Sequence, residues 1–175
     1  MPKILNLGCG KDWREDCLNS DIQARVKPDW VCDISKVQWG EVIETRFGQI
    51  KIEPGMFEKI VANDVLEHIP DLVSAMKNCL DLLAKGGKFV ISVPYELSLG
   101  AWQDPTHVRA FNENSWLYYT EWCWYLGWDS GFKLEELQFK LSELGLEMSK
   151  TAASDEEILR TPRAVDSMKV TLCKQ

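Results

Sequence analysis

Short apolar runs and helix-like stretches alternate along this chain, the pattern of an α/β domain with a largely parallel sheet. Strands are predicted at Lys3–Leu7, Leu18–Ile22, Trp30–Asp33, Lys59–Asn63 and Lys88–Val93. Leu72, Met76, Cys79, Leu80 and Leu83 recur at helical spacing, so Asp71–Lys85 reads as a helix that Asp71 can cap and Gly86-Gly87 can stop. Val37–Phe47 reads as a short helix, and Gly48 to Gly55 as an irregular stretch turning at Pro54-Gly55.

The later part of the chain is aromatic. Asn114 and Ser115 can cap a helix from Trp116 to Leu126, ended by Gly127, with aromatic residues almost all round it. Such a surface needs cover, so the segment is expected to be core and a lid over the site; a substrate wall or a homodimer contact through residues 116–128 is the alternative. Phe132–Leu141 fits an amphipathic helix or a bulged strand, and strand is the reading taken here. Ser154–Arg160 then forms a short helix and Met168–Cys173 a closing strand.

Composition narrows the class. The 175 residues suit one domain, 1–175, large enough to bury a core without disulfides or structural metal. No apolar stretch approaches the roughly 20 residues a bilayer crossing needs. The strand pattern starts so close to Met1 that a signal peptide has no room, which predicts a cytoplasmic protein without membrane contact. Six cysteines lack any Cys-x-x-Cys pair and only two histidines are present, so reduced, mostly buried thiols and no metal site are expected. The net charge of −7 repels polyanions, which disfavours nucleic acid and favours small molecules, sugars or a protein partner.

The chemistry starts at Leu5-Asn-Leu-Gly-Cys-Gly10, where two glycines separated by one small residue let the backbone turn tightly and approach a ligand with no Cβ in the way. A dinucleotide fingerprint would need a third glycine where Trp13 stands, which disfavours a nicotinamide-dependent oxidoreductase. Asp21 ends the second predicted strand, where a carboxylate can accept from both ribose hydroxyls of a nucleoside. The short 11–17 connection leaves room for a loop or one helical turn only. Asp33 ends the third strand and can accept from an adenine amino group. Asn63 and Asp64 follow the fourth strand at the same rim. Glu67 and His68 are either catalytic or holders of the turn before the helix. The loop after the fifth strand gathers Asp104, His107 and Arg109, which can act as orienting carboxylate, general base and cation for an acidic substrate, or else lock the loop internally.

With these residues assembled, the chain resembles the class I S-adenosylmethionine-dependent methyltransferases, in particular compact ones opening with Leu-Asn-Leu-Gly-Cys-Gly and carrying Val-Leu-Glu-His-Ile-Pro. The resemblance covers about residues 3 to 111 and rests on four ordered features: LNLGCG, the Asp21 strand end, NDVLEHIPD and LLAKGGKFVISVPY. It implies a Rossmann-like three-layer α/β sandwich with a mostly parallel seven-stranded sheet and an antiparallel last strand. It further implies that S-adenosyl-L-methionine is the cofactor and S-adenosyl-L-homocysteine the product. Leu7, Gly8, Cys9 and Gly10 would line the methionine part. Asp21 with Ile22 would bind ribose, Asp33 with Ile34 would flank adenine, and Asn63, Asp64, Val65 and His68 would close the pocket. The expected reaction is methyl transfer to an oxygen, nitrogen or carbon nucleophile of a small molecule, sugar or protein, with His107, Asp104 and Arg109 as the catalytic group. The alternative is a non-catalytic S-adenosylmethionine-binding or interaction module.

Overall fold

A computed structural model describes residues 2–151 and 153–175. Seven strands form the main sheet: β1 (Ile4–Leu7), β2 (Leu18–Asp21), β3 (Trp30–Val31), β6 (Phe57–Asn63), β7 (Leu83–Pro94), β8 (Phe132–Leu141) and β9 (Val165–Lys174). Their order is β3-β2-β1-β6-β7-β9-β8. The first five pair in parallel, and β9 runs antiparallel to both β7 and β8. This is the Rossmann-like α/β fold that the sequence implies, and Phe132–Leu141 is the bulged strand expected, with its register shift between Leu134 and Glu136.

The layers of the sandwich are unequal. Cross-strand neighbours on one face are Leu18, Leu5, Ile60, Phe89 and Leu172, then Ser20, Leu7, Ala62, Ile91 and Val170. The helix α1 (Leu72–Leu82) buries Leu72, Ala75, Met76, Cys79, Leu80 and Leu82 in the same core. The opposite face carries Asn19, Asn6, Val61, Val90, Thr171 and Glu136 in one row, and the neighbouring Lys59, Lys88, Lys169 and Gln138 are exposed. A parallel strand covered by helices on both faces reads as a continuous apolar run, so the polar alternation here matches the lopsided cover.

Where a helix would otherwise cross from β1 to β2, residues 8–17 form a loop pinned by side chains. The register partners Asn6 and Asn19 hydrogen-bond to each other at 3.0 Å. Asn6 also donates to the Asp12 carbonyl, and Asn19 exchanges bonds with the Arg14 backbone (2.9 and 2.7 Å).

Three expectations need correction. The Val37–Phe47 helix is absent; β4 (Val42–Thr45) and β5 (Gly48–Lys51) form a separate two-stranded hairpin. Val42, Ile43 and Thr45 are β-branched, and Gly48 supplies the left-handed φ of 91° at the turn. The aromatic helix is instead two 3₁₀ turns, Glu113–Tyr119 and Cys123–Leu126, the first capped by Asn112 with Ser115. Aromatic residues are weak helix formers, and the Thr120 hydroxyl donates back to the Trp116 carbonyl at 3.1 Å, which competes with helix continuation. Third, α1 stops at Leu82, and Leu83 already pairs with Phe57 in the sheet. The remaining helices are α2 (Gly100–Gln103), α3 (Glu143–Lys150), which the sequence reading did not mark, and α4 (Asp155–Arg160), capped by Ser154. No helix among the described residues is long and apolar enough to cross a membrane.

Candidate active site

Two groups of side chains meet at the carboxyl ends of β1, β2, β6 and β7. The first surrounds the glycine loop. Gly8 (φ 63°) and Gly10 (φ 44°) both need a backbone that L side chains rarely adopt, yet their surroundings differ. A Cβ on Gly8 would lie 2.4 Å from a Val65 methyl carbon, whereas one on Gly10 would meet only the Gly8 carbonyl at 3.9 Å. Gly8 thus packs the loop against the β6 turn, and Gly10 faces open space. Cys9 is buried, and that burial pushes its thiol pKa up to about 11.

Asp21, 8% exposed, accepts from Gly10 N at 2.9 Å through one carboxylate oxygen and from Gln23 N at 2.8 Å through the other. Each oxygen keeps a second lone pair for a ligand hydroxyl. Ile22 beside it is exposed. Asp33 caps a 3₁₀ turn through Ser35 and pairs with Lys36, and these bonds hold its carboxyl below the usual range; Ile34 is core. Asn63 is exposed at the end of β6, and Asp64 has a left-handed φ of 52°, which Asp tolerates better than most residues.

A buttress missed at the sequence level holds this half. Arg46, at the tip of the β4–β5 hairpin, donates to the carbonyls of Glu15 (2.7 Å), Arg14 (3.0 Å) and Cys17 (2.6 Å) and to Asp29 (3.0 Å). Its guanidinium lies 4.2 Å from the ring centres of both Trp13 and Phe47. Asp29 in turn accepts from Asn19. Nothing short-range in the sequence links Arg46 to a loop so far upstream.

The second group lies two residues beyond Val65. Glu67 is 1% exposed, and neither carboxylate oxygen has a hydrogen-bond partner. Burial pushes its pKa up to about 7; its own backbone amide and His107 oppose the rise, and the nearby Asp64 and Asp104 charges add to it. The His68 and His107 rings stand edge to face, 4.6 Å between centres. His107 Nδ1 is 2.8 Å from the Ala101 carbonyl, which only accepts, so Nδ1 carries the proton. Thr106 gives its single hydroxyl proton to Asp104 (2.7 Å), so at 2.9 Å it accepts from His68 Nδ1. With Nδ1 engaged in this way, Nε2 is the nitrogen each ring has left for another partner. The ligand atoms of Glu67, His68 and His107 lie within 4.8 Å of one another.

The loop carrying His107 is zipped onto the β6 turn. Val108 N donates to the Glu67 carbonyl at 2.9 Å, and Arg109 Nη2 donates to the Ile69 and Pro70 carbonyls at 2.7 Å each. Asp104 is committed to Thr106, and its lowered pKa follows from those bonds. Of the three residues expected to act together, His107 joins Glu67 and His68, while Arg109 and Asp104 face backbone and Thr106. Glu67, read from the sequence as catalytic or as a holder of the turn, is a carboxylate flanked along the chain by Val65, Leu66 and Ile69. The aromatic segment divides: Trp116 stacks on Phe111 (5.4 Å, 6°) in the core, while Trp122, Trp124 and Tyr125 are exposed.

The sequence profile of the methyltransferase-domain family matches residues 2–137, and the chain belongs to that family. Among solved structures it is similar to an S-adenosylmethionine-dependent methyltransferase from Archaeoglobus fulgidus, with TM-score 0.63 and 17% identity over 99% of this chain and 86% of that one. A second, from Mesorhizobium loti, gives 0.55 and 16% over 99% and 93%. The [4+2]-cyclase SpnF gives 0.60 and 13% over 98% and 74%, so likeness of fold does not fix the reaction. No curated protein sequence matches the chain significantly.

Proposed function

We propose that the chain transfers a methyl group from S-adenosyl-L-methionine to an oxygen, nitrogen or carbon nucleophile of a small molecule, sugar or protein. The observation that carries this reading is the close packing of Gly8 on Val65, which joins the loop that leads to Gly10 and Asp21 to the turn that carries Glu67 and His68. The cofactor fits the first: Gly10 lacks the Cβ that would fill the corner, and Asp21 keeps acceptor capacity for ribose hydroxyls. Bound there, it supplies a methyl carried on a sulfonium.

The residues divide the work. Leu7, Gly8, Cys9 and Gly10 offer backbone to the methionine part. Asp21 and Ile22 hold ribose, Asp33 and Ile34 flank the base, and Asn63, Asp64, Val65 and His68 close the pocket. His107, steered by the Ala101 carbonyl, turns Nε2 toward the acceptor as base or ligand. Asp104 acts at one remove through Thr106, and Arg109 by fastening the turn. Holding the reactants about 3 Å apart and in line supplies much of the rate, so few reacting side chains are needed. Six unpaired cysteines support a cytoplasmic site of action. The exposed Trp122, Trp124 and Tyr125 support a homodimer contact or an acceptor wall.

The test is thermal unfolding with S-adenosyl-L-methionine, S-adenosyl-L-homocysteine or NADH, each at about 100 times its dissociation constant, where one-site binding adds roughly 2.7 kcal/mol. A rise with the adenosyl compounds alone, lost in Asp21→Ala, is expected. A rise with NADH alone, or none with any ligand, rejects the reading.

A further inference from the structure

We propose that Glu67, His68 and His107 form a binding site for one divalent transition-metal ion, which holds an acceptor oxygen beside the methyl donor. The role in methyl transfer rests on the functional reading above; the metal site itself does not.

Three independent features converge. One carboxylate oxygen and two imidazole nitrogens lie within 4.8 Å of one another, drawn from the β6 turn and the loop after β7. Two histidines and one carboxylate are a donor set that suits zinc and other first-row divalent ions and leaves coordination positions open. Ligand atoms about 2.1 Å from an ion in tetrahedral array stand roughly 3.4 Å apart, so small side-chain rotations close the cluster.

Each ring is also prepared for a metal. The bonds from Nδ1 to the Ala101 carbonyl and to Thr106 fix both tautomers with Nε2 free, which is how a protein orients ligating histidines from behind. Asp104 extends the second support by taking the Thr106 proton.

The third feature is Glu67. A carboxyl group 1% exposed with both oxygens unpartnered is costly to the fold, and a turn-holding role would have given it a donor. No positive side chain pairs with it among the described residues; the guanidinium of Arg109 gives Nη2 to the Ile69 and Pro70 carbonyls, and its buried Nε has no partner. A cation would satisfy the carboxylate and both imidazoles together. With His107 as a ligand, the proton of an acceptor hydroxyl leaves to water from the metal-bound oxygen. That oxygen then bonds to the methyl carbon, whose bond to sulfur breaks with its electron pair staying on sulfur.

The experiment titrates chelator-treated full-length protein with Zn²⁺ by calorimetry and with Co²⁺ by visible absorption. One equivalent should bind, without sulfur-to-cobalt charge-transfer bands. Glu67→Gln and His107→Ala should abolish binding. Thr106→Val, an exposed position behind His68, should weaken it by roughly 10- to 100-fold. If the ligand variants fail to fold, the Thr106 variant and the wild-type cobalt spectrum decide. No binding by wild-type protein, binding through thiolates, or binding unchanged in Thr106→Val overturns the proposal. Thermal shifts by S-adenosyl-L-homocysteine on the same metal-free samples test the methyltransferase reading separately.

Discussion

Asp21 and Glu67 are both buried carboxylates at the same rim of one sheet, and the protein treats them in opposite ways. Asp21 receives two backbone N–H groups, and the loop around it is tied down by Asn6, Asn19 and Arg46. Glu67 receives none, although Val108 N donates to its carbonyl close by. The first half is complete without a ligand and is therefore preorganised. The second carries an unmet charge preference, so whatever binds there changes its energy more.

The comparison can be broken in order of expected effect. Asp21→Ala strands the Gly10 and Gln23 amides and removes a charged acceptor; affinity for S-adenosyl-L-homocysteine should fall on the order of 100-fold, read by calorimetry. Gly8→Ala should cost about 2–3 kcal/mol in denaturant unfolding, because its Cβ meets Val65 and its φ is positive. Gly10→Ala should cost only about 1 kcal/mol while still blocking the adenosyl ligand.

Glu67 supplies a pH test. In metal-free protein its folded pKa of about 7 exceeds its usual 4.5, so above pH 4.5 the folded state binds more protons than the unfolded one. Its contribution is therefore fully present below about pH 4.5 and is lost by about pH 7, a decline on the order of 3 kcal/mol. Glu67→Gln should flatten that segment of the stability–pH curve; an unchanged slope would show that the carboxyl is not destabilised by burial. Arg46→Lys keeps the charge but cannot fork to several carbonyls, and should lose about 1–2 kcal/mol together with a modest part of cofactor affinity. The smallest effect belongs to Trp124→Ala, within about 0.5 kcal/mol of wild type in stability; a change in sedimentation would reveal a contact between copies.

Sequence by itself determined what local periodicity and short-range turn chemistry can carry. The parallel strands, the Asp71-capped helix, the glycine turn and Asp21 at a strand end were legible because each signal fits within a few residues. The family resemblance then supplied the seven-stranded, mostly parallel sheet with its antiparallel last strand. Tertiary structure decided the rest, since it depends on groups far apart in the chain. Arg46 finds the 14–17 carbonyls only once a hairpin replaces the expected helix, and Thr120 splits the aromatic segment by bonding backward. Likewise Glu67 and His68 meet His107 only because Arg109 and Val108 fasten one loop to the other, a convergence of side chains that no spacing along the chain encodes.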